Sequence, residues 1–427
     1  LGRAGAWCGQ NKYLSAIKNA FQNFMPLTIA GAIGVLWCNV LVNESTGLGI
    51  FFKPIMALEF LNPAFQAVNF CTISCITVGI TLGIAQEIGV WNMGAEKAGY
   101  IPGLVGLAAW LSVTNTSHMV EGAKEAFTGI AGNELGATGL FTGMIISVLS
   151  VELFCFFEKQ DALKIKMPEQ VPPGVARAFE VLVPATITLI ITACIGSACY
   201  NLTGLYLNDV IKNGIQGPLG AVGATIPGVM IIYLVIMLFW LVGIHGNNML
   251  SAVKEALFTP LALENVEKFN KGEKPTNIIN MYFLQMCGEF GGSGVTIGLV
   301  IAIMIFGKRE DNKAIASLSL VPGLFNINET VTFGVPMVLN PILGIPFVVA
   351  PLITIIIGYV LTVIGFCPVA CLTVPWTTPP IVFGFLATGA NVMGAVTQAI
   401  LIVVSTVIYV PFLIAYEKYQ NKQAAEA

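Results

Sequence analysis

The chain has 427 residues, of which 56% are hydrophobic and only 10% charged. Ordinary soluble domains carry about 25% charged residues, so this sequence has too little charge to cover a water-facing surface and reads as an integral membrane protein. Its net charge of −3 offers no basic footprint for a nucleic-acid partner.

The first element in chain order is an amphipathic stretch over 13–24, where Lys12, Lys18 and Asn19 stand beside Leu14, Ile17 and Phe21. It reads as a helix lying on the membrane surface. A spanning helix needs ~20 mostly apolar residues. Candidate blocks follow at 25–42, 67–91, 101–113, 137–157, 179–202 and 222–244, then less regularly at 278–306, 345–366 and 392–415. Gly (45) and Pro (22) recur inside these blocks, as they do in transmembrane bundles.

Lys and Arg set the orientation. With Arg3, Lys12 and Lys18 in the cytoplasm, the outer loops hold Lys53, Lys124 and Lys212, one each. The inner loops hold Lys97, then Lys159, Lys164, Lys166 and Arg177, then Lys254, Lys268, Lys271 and Lys274. Lys418 and Lys422 place the C-terminus inside as well, so the number of crossings is even. The longest hydrophilic segment, 254–276, reads as a cytoplasmic helix and loop. No soluble segment is large enough to bind a nucleotide, and no GxxxxGK phosphate loop occurs. Energy must therefore come from an ion gradient or a partner protein.

The ten cysteines form no CxxC pair. Cys71/Cys75 and Cys367/Cys371 lie four apart within apolar stretches and read as small buried hydrophobes. No metal site is expected, and no cofactor.

Polar groups concentrate after Val222. Residues 317–325 and 330–339 are too short to span, and Asn326-Ile327-Asn328-Glu329 lies between them. Two short apolar arms around a polar tip read as a re-entrant hairpin, tolerated at membrane depth only where it lines a cavity. Transporters bind substrates at such half-helix tips. Asn328 is a plausible N-cap, which puts Glu329 in the first helical turn, where the dipole favours a carboxylate. In WLVGIHGNN, His245 ends an apolar run, Gly246 stops the helix, and Asn247 and Asn248 follow. With Trp240 this gives an aromatic face beside amides, the mixture sugars require. Cys287-Gly288-Glu289-Phe290-Gly291-Gly292-Ser293-Gly294 interrupts the 278–306 block with glycines, which permit a broken helix. Glu289 there is an intramembrane carboxylate, functional by default. Val374-Pro375-Trp376-Thr377-Thr378-Pro379-Pro380 reads as a second hairpin tip, with Trp376 placed either to stack on a ring or to anchor at the membrane interface. Glu87, Glu152 and the loop residue His118 read as interface or loop groups.

WxxGIHGNN, GEFGGSG, the tip 326–329 and PWTTPP together resemble the lactose/cellobiose/diacetylchitobiose class of phosphotransferase-system permeases, the enzyme IIC components of the glucose superfamily. The resemblance covers most of the chain and is densest over 222–380. It implies an all-α polytopic membrane protein of about ten transmembrane helices with two re-entrant hairpins. It also implies a homodimer built through residues 1–221 and a sugar site in 222–427. His245 and Glu329 would hold the 6-hydroxyl of a disaccharide, with Trp240, Asn247, Asn248, Glu289, Asn326, Asn328 and Trp376 around it. The phosphoryl donor would be a phosphocysteine on a separate cytoplasmic IIB subunit, charged by IIA upstream, so that none of this chain's cysteines serves as donor. The chain would sit among the lipids of a bacterial cytoplasmic membrane with both termini inside, as a transport subunit of a phosphotransferase complex. The competing reading is a proton- or ion-coupled sugar carrier using Glu329 or Glu289.

Overall fold

The computed structural model describes residues 11–43, 49, 52–118, 126–168, 170–335 and 337–426. Arg3 and Lys124, used above to orient the chain, lie outside the described residues. These residues are largely helical, with one short ribbon in which Ser117–His118 pairs antiparallel with Phe127–Thr128. Among the described residues, five helices are long and apolar enough to cross a membrane, or seven if each of two bent pairs is one span. The block at 101–113 forms a helix of only 13 residues. The block at 222–244 forms the 16-residue helix Ile226–Leu241.

The chain divides into two units, one drawn from Gln10–Thr28 and Phe70–Gly220, the other from Ile29–Asn69 and Ala221–Ala427. In the first, Ile76, Ile80, Ile84 and Ile88 recur every fourth residue on the helix Ile76–Met93 and are all buried. That spacing lines one helix face. Small residues let its neighbours approach closely, as in other membrane bundles. A Cβ on Gly106 would stand 2.3 Å from that of Ala85.

The amphipathic stretch is not a surface helix. Lys12–Leu41 is one helix of 30 residues. Its polar side chains meet acids of the same unit: Lys12 pairs with Glu152 at 2.5 Å, and Asn19 and Asn23 donate to the carboxylate of Glu87 at 2.9 and 3.4 Å. A polar face with partners inside the bundle has no need of the membrane surface. Buried Glu158 likewise accepts from Arg177 and Lys97 at 3.0 and 2.9 Å.

The second unit packs around Tyr233, Trp240, Phe258, Phe283, Phe347 and Tyr409, all essentially buried. Its helices are interrupted where the glycines predict. Met281–Val295 and Ile297–Phe306 meet at 59°. Gly291, Gly292 and Gly294 all have positive φ, and a Cβ on Gly294 would lie 2.3 Å from the Phe347 ring, so only glycine fits. The backbone freed by the break is recovered by side chains: Thr296 donates to the Gly291 carbonyl and Tyr409 to that of Gly294, at 2.6 and 2.8 Å. Irregular backbone at membrane depth needs such partners.

The arms around 326–329 are unequal, a 15-residue helix Glu310–Leu324 and a six-residue helix Glu329–Gly334. Around PWTTPP the chain is less regular still: residues 367–381 are non-helical, and only Val382–Ala387 forms a short helix, whose start donates from Ile381 and Gly384 to the Gln398 amide oxygen.

Candidate functional site

The breaks in the second unit bring the polar residues together. His245 begins a one-turn helix, Gly246–Met249. A Cβ on Gly246 would stand 2.0 Å from the Ile236 carbonyl oxygen, so the turn can fold back on its own helix only through glycine. The His245 Nδ1 accepts from the backbone N–H of Asn248 at 3.2 Å. An accepting Nδ1 assigns the proton of the neutral ring to Nε2. That Nε2 lies 3.8 Å from the Glu329 Oε1, and both side chains are accessible, at 36% and 47% exposed. A hydroxyl oxygen about 2.8 Å from each atom would close a triangle with good hydrogen-bond lengths.

Trp240 does not offer a face to a ligand. It is 2% exposed, its ring lies 4.4 Å from the imidazole of His245 and edge-on to Phe347, and its indole N–H has no partner among the described residues. It backs the histidine. The aromatic group that stays open is Trp376, 42% exposed.

Asn326 adopts φ +63°, a left-handed conformation that Asn tolerates better than most residues. Its side chain joins three segments: Oδ1 accepts from the Gly291 N–H at 2.6 Å, and Nδ2 donates to the carbonyls of Trp376 and Thr378 at 2.5 and 3.1 Å. Asn328 occupies the N-cap position, but its side chain does not cap the helix. It donates instead to the Ser293 carbonyl at 2.8 Å and to Thr332 at 3.1 Å, and is 4% exposed. Both asparagines, expected to contact substrate, have their amide N–H groups committed to the frame. Asn248 is exposed, and Asn247 donates to the Ser293 hydroxyl at 2.9 Å.

One residue of the site was missed. Lys254, read above as part of a cytoplasmic segment, is 6% exposed on the helix Ser251–Asn270. Its ammonium contacts Glu289 and donates to the Asn247 Oδ1 at 3.1 Å. Tyr233 donates to the same Glu289 at 2.8 Å. The available signal was Glu289 itself, since an intramembrane carboxylate requires a partner.

The family model described as phosphotransferase system, EIIC matches residues 18–351 of the chain. Among curated proteins, the chain is 34% identical over 413 residues to the oligo-beta-mannoside-specific EIIC component of Bacillus subtilis (strain 168), covering 96% of this chain and 90% of that protein. It is 30% identical to the cellobiose-specific EIIC component of Lactococcus lactis subsp. lactis (strain IL1403), covering 97% and 96%. Among solved structures, it superposes with a TM-score of 0.90 on the crystal structure of the transporter ChbC, the IIC component from the N,N'-diacetylchitobiose-specific phosphotransferase system. That match has 29% identity and covers 100% of this chain and 98% of the other.

Proposed function

The chain belongs to the phosphotransferase-system EIIC family, and from that premise we propose that it carries a disaccharide of the cellobiose, lactose or diacetylchitobiose type across a bacterial cytoplasmic membrane. It presents the sugar's 6-hydroxyl to a separate phospho-IIB subunit. The observation that carries this reading is the facing pair of His245 Nε2 and Glu329 Oε1, 3.8 Å apart and both accessible. Phosphoryl transfer asks the protein mainly for an aligned hydroxyl and for charge stabilisation. Glu329 accepts the hydroxyl proton as the oxygen attacks phosphorus, and the Nε2–H of His245 holds that oxygen in place. The phosphoryl group leaves the IIB cysteine, and none of this chain's cysteines takes part. The product carries about two new negative charges, which repel Glu329 and favour release to the cytoplasm. Transport is thereby one-way without an ion gradient.

Trp376 stacks on a sugar ring, while Trp240 fixes the imidazole. The shorter apolar helices Ile101–Val113 and Ile226–Leu241 serve as further crossings in a bundle of about ten, with both termini cytoplasmic and re-entrant segments around 326–329 and 374–380. The protein works as a homodimer joined through its N-terminal half.

The test is equilibrium binding of the parent disaccharide and its 6-deoxy analogue to wild type and to Glu329→Gln. Wild type should lose at least about 1.5 kcal/mol with the deoxy sugar, because polar groups that the bound sugar covers are left unpaired. Glu329→Gln should discriminate less. Equal binding of both sugars by wild type would place the reacting end of the sugar elsewhere.

A further inference from the structure

Glu289 is held one-sidedly. Lys254 and Tyr233 both donate to its Oε1. Its Oε2 has no donor among the described residues, although a carboxylate accepts on both oxygens. The side chain is 19% exposed, whereas that of Lys254 is 7% exposed. The ammonium is therefore sealed within the protein, and the unpaired oxygen belongs to the more open partner.

Lys254 also fixes Asn247. Lysine can only donate, so Asn247 must turn its carbonyl oxygen toward the ammonium, and its NH₂ then faces Ser293. One buried cation thus sets the direction of two polar side chains next to His245. A buried ion pair contributes little to stability compared with well-packed apolar residues, and stability alone is a weak account of this one.

We propose that Lys254 is a positioning residue for sugar recognition: it holds Glu289 so that Oε2 is the acceptor offered to a sugar hydroxyl other than the 6-hydroxyl. This rests on the transport reading above. Lys254 itself touches no sugar. It acts by occupying Oε1 and orienting Asn247, and the His245–Glu329 pair recognises the 6-hydroxyl independently.

The experiment uses the full chain in lipid nanodiscs. Cellobiose, lactose and N,N'-diacetylchitobiose are screened, and the tightest binder is carried forward with its monodeoxy analogues. In wild type, one analogue besides the 6-deoxy sugar should bind much more weakly than the parent. Lys254→Met should weaken parent binding by about tenfold to a hundredfold and erase discrimination at that second position, leaving discrimination against the 6-deoxy sugar intact. Glu289→Gln should remove the same discrimination. The losses in Lys254→Met and Glu289→Gln should be strongly non-additive in the double variant, as for two groups acting as one unit. Should Lys254→Met fail to fold, Lys254→Gln with Glu289→Gln leaves no unpaired charge and must show the same selective loss. Wild-type affinity and selectivity in the Lys254 variants, or additive losses, would overturn the inference. If wild type ignores only the 6-deoxy change, the His245–Glu329 assignment falls while this one stands. If no disaccharide binds, the transport reading falls and this inference with it.

Discussion

The two units handle their acidic side chains differently. In the unit containing Phe70–Gly220, Glu87 and Glu152 sit within helices and Glu158 ends one, and all three meet amides or cations of that unit. In the unit containing Ala221–Ala427, Glu289 and Glu329 sit where helices stop. Glu158 and Glu289 make the point as a pair. Each has two donors on one oxygen, but the side chain of Glu158 is 1% exposed and that of Glu289 is 19% exposed. A free oxygen sealed in the bundle is inert, and one that is open can take a ligand. Access, where charge and helix position alone do not, separates the sealed Glu158 from the open Glu289.

The largest effect should come from removing an open acid. Glu329→Gln should lower phospho-IIB-dependent sugar phosphorylation by about 10³-fold, within the range of a lost general base. This is measured in membrane vesicles supplied with phospho-IIB. Activity near wild type would erase the distinction between the two units. Next comes Trp240→Ala. It removes a fully packed indole and should destabilise the protein by about 3 kcal/mol, read as thermal or denaturant unfolding in detergent. Unchanged stability would return Trp240 to the ligand-facing role. Trp376→Ala should weaken sugar binding by roughly 1 kcal/mol, the worth of an aromatic contact, while leaving the unfolding midpoint near wild type. The smallest change is expected in the other unit. Lys12→Met breaks a pair whose side chains are 25% and 31% exposed. It should alter stability by less than about 1 kcal/mol and leave sugar phosphorylation alone. A large loss of phosphorylation there would mean that Glu152 also serves the transport reaction.

The helical segments and the breaks between them were legible because apolar runs, glycines and prolines act locally. The glycines at 291, 292 and 294 announced the kink between Met281–Val295 and Ile297–Phe306. His245 and Glu329 stood out because each sits beside a helix stop. Three features were not legible. Lys12 and Asn19 looked like part of a water-facing stripe, because the acids they meet lie about 70 to 140 residues away in sequence and the pattern of one helix cannot reveal its partner. Lys254 lies among other charged residues and was read with them, yet it is the one turned inward to Glu289. Trp240 and Trp376 look alike in sequence, and only packing shows that one is enclosed and the other open.

The grip of Asn326 has a bearing on how selectivity can diversify. Its amide holds residues 376 and 378 by their carbonyl oxygens, not by their side chains. Every amino acid carries that oxygen, so the side chains at both positions can be exchanged without removing the tie. Asn326 has no such latitude: Asp would lose both donated bonds, and a branched side chain would resist the left-handed backbone. The arrangement separates a constant anchor from variable fingertips. A library randomised at 376 and 378 should therefore retain folded members across many residue types while changing which sugar is preferred, whereas one randomised at 326 should collapse to the parent.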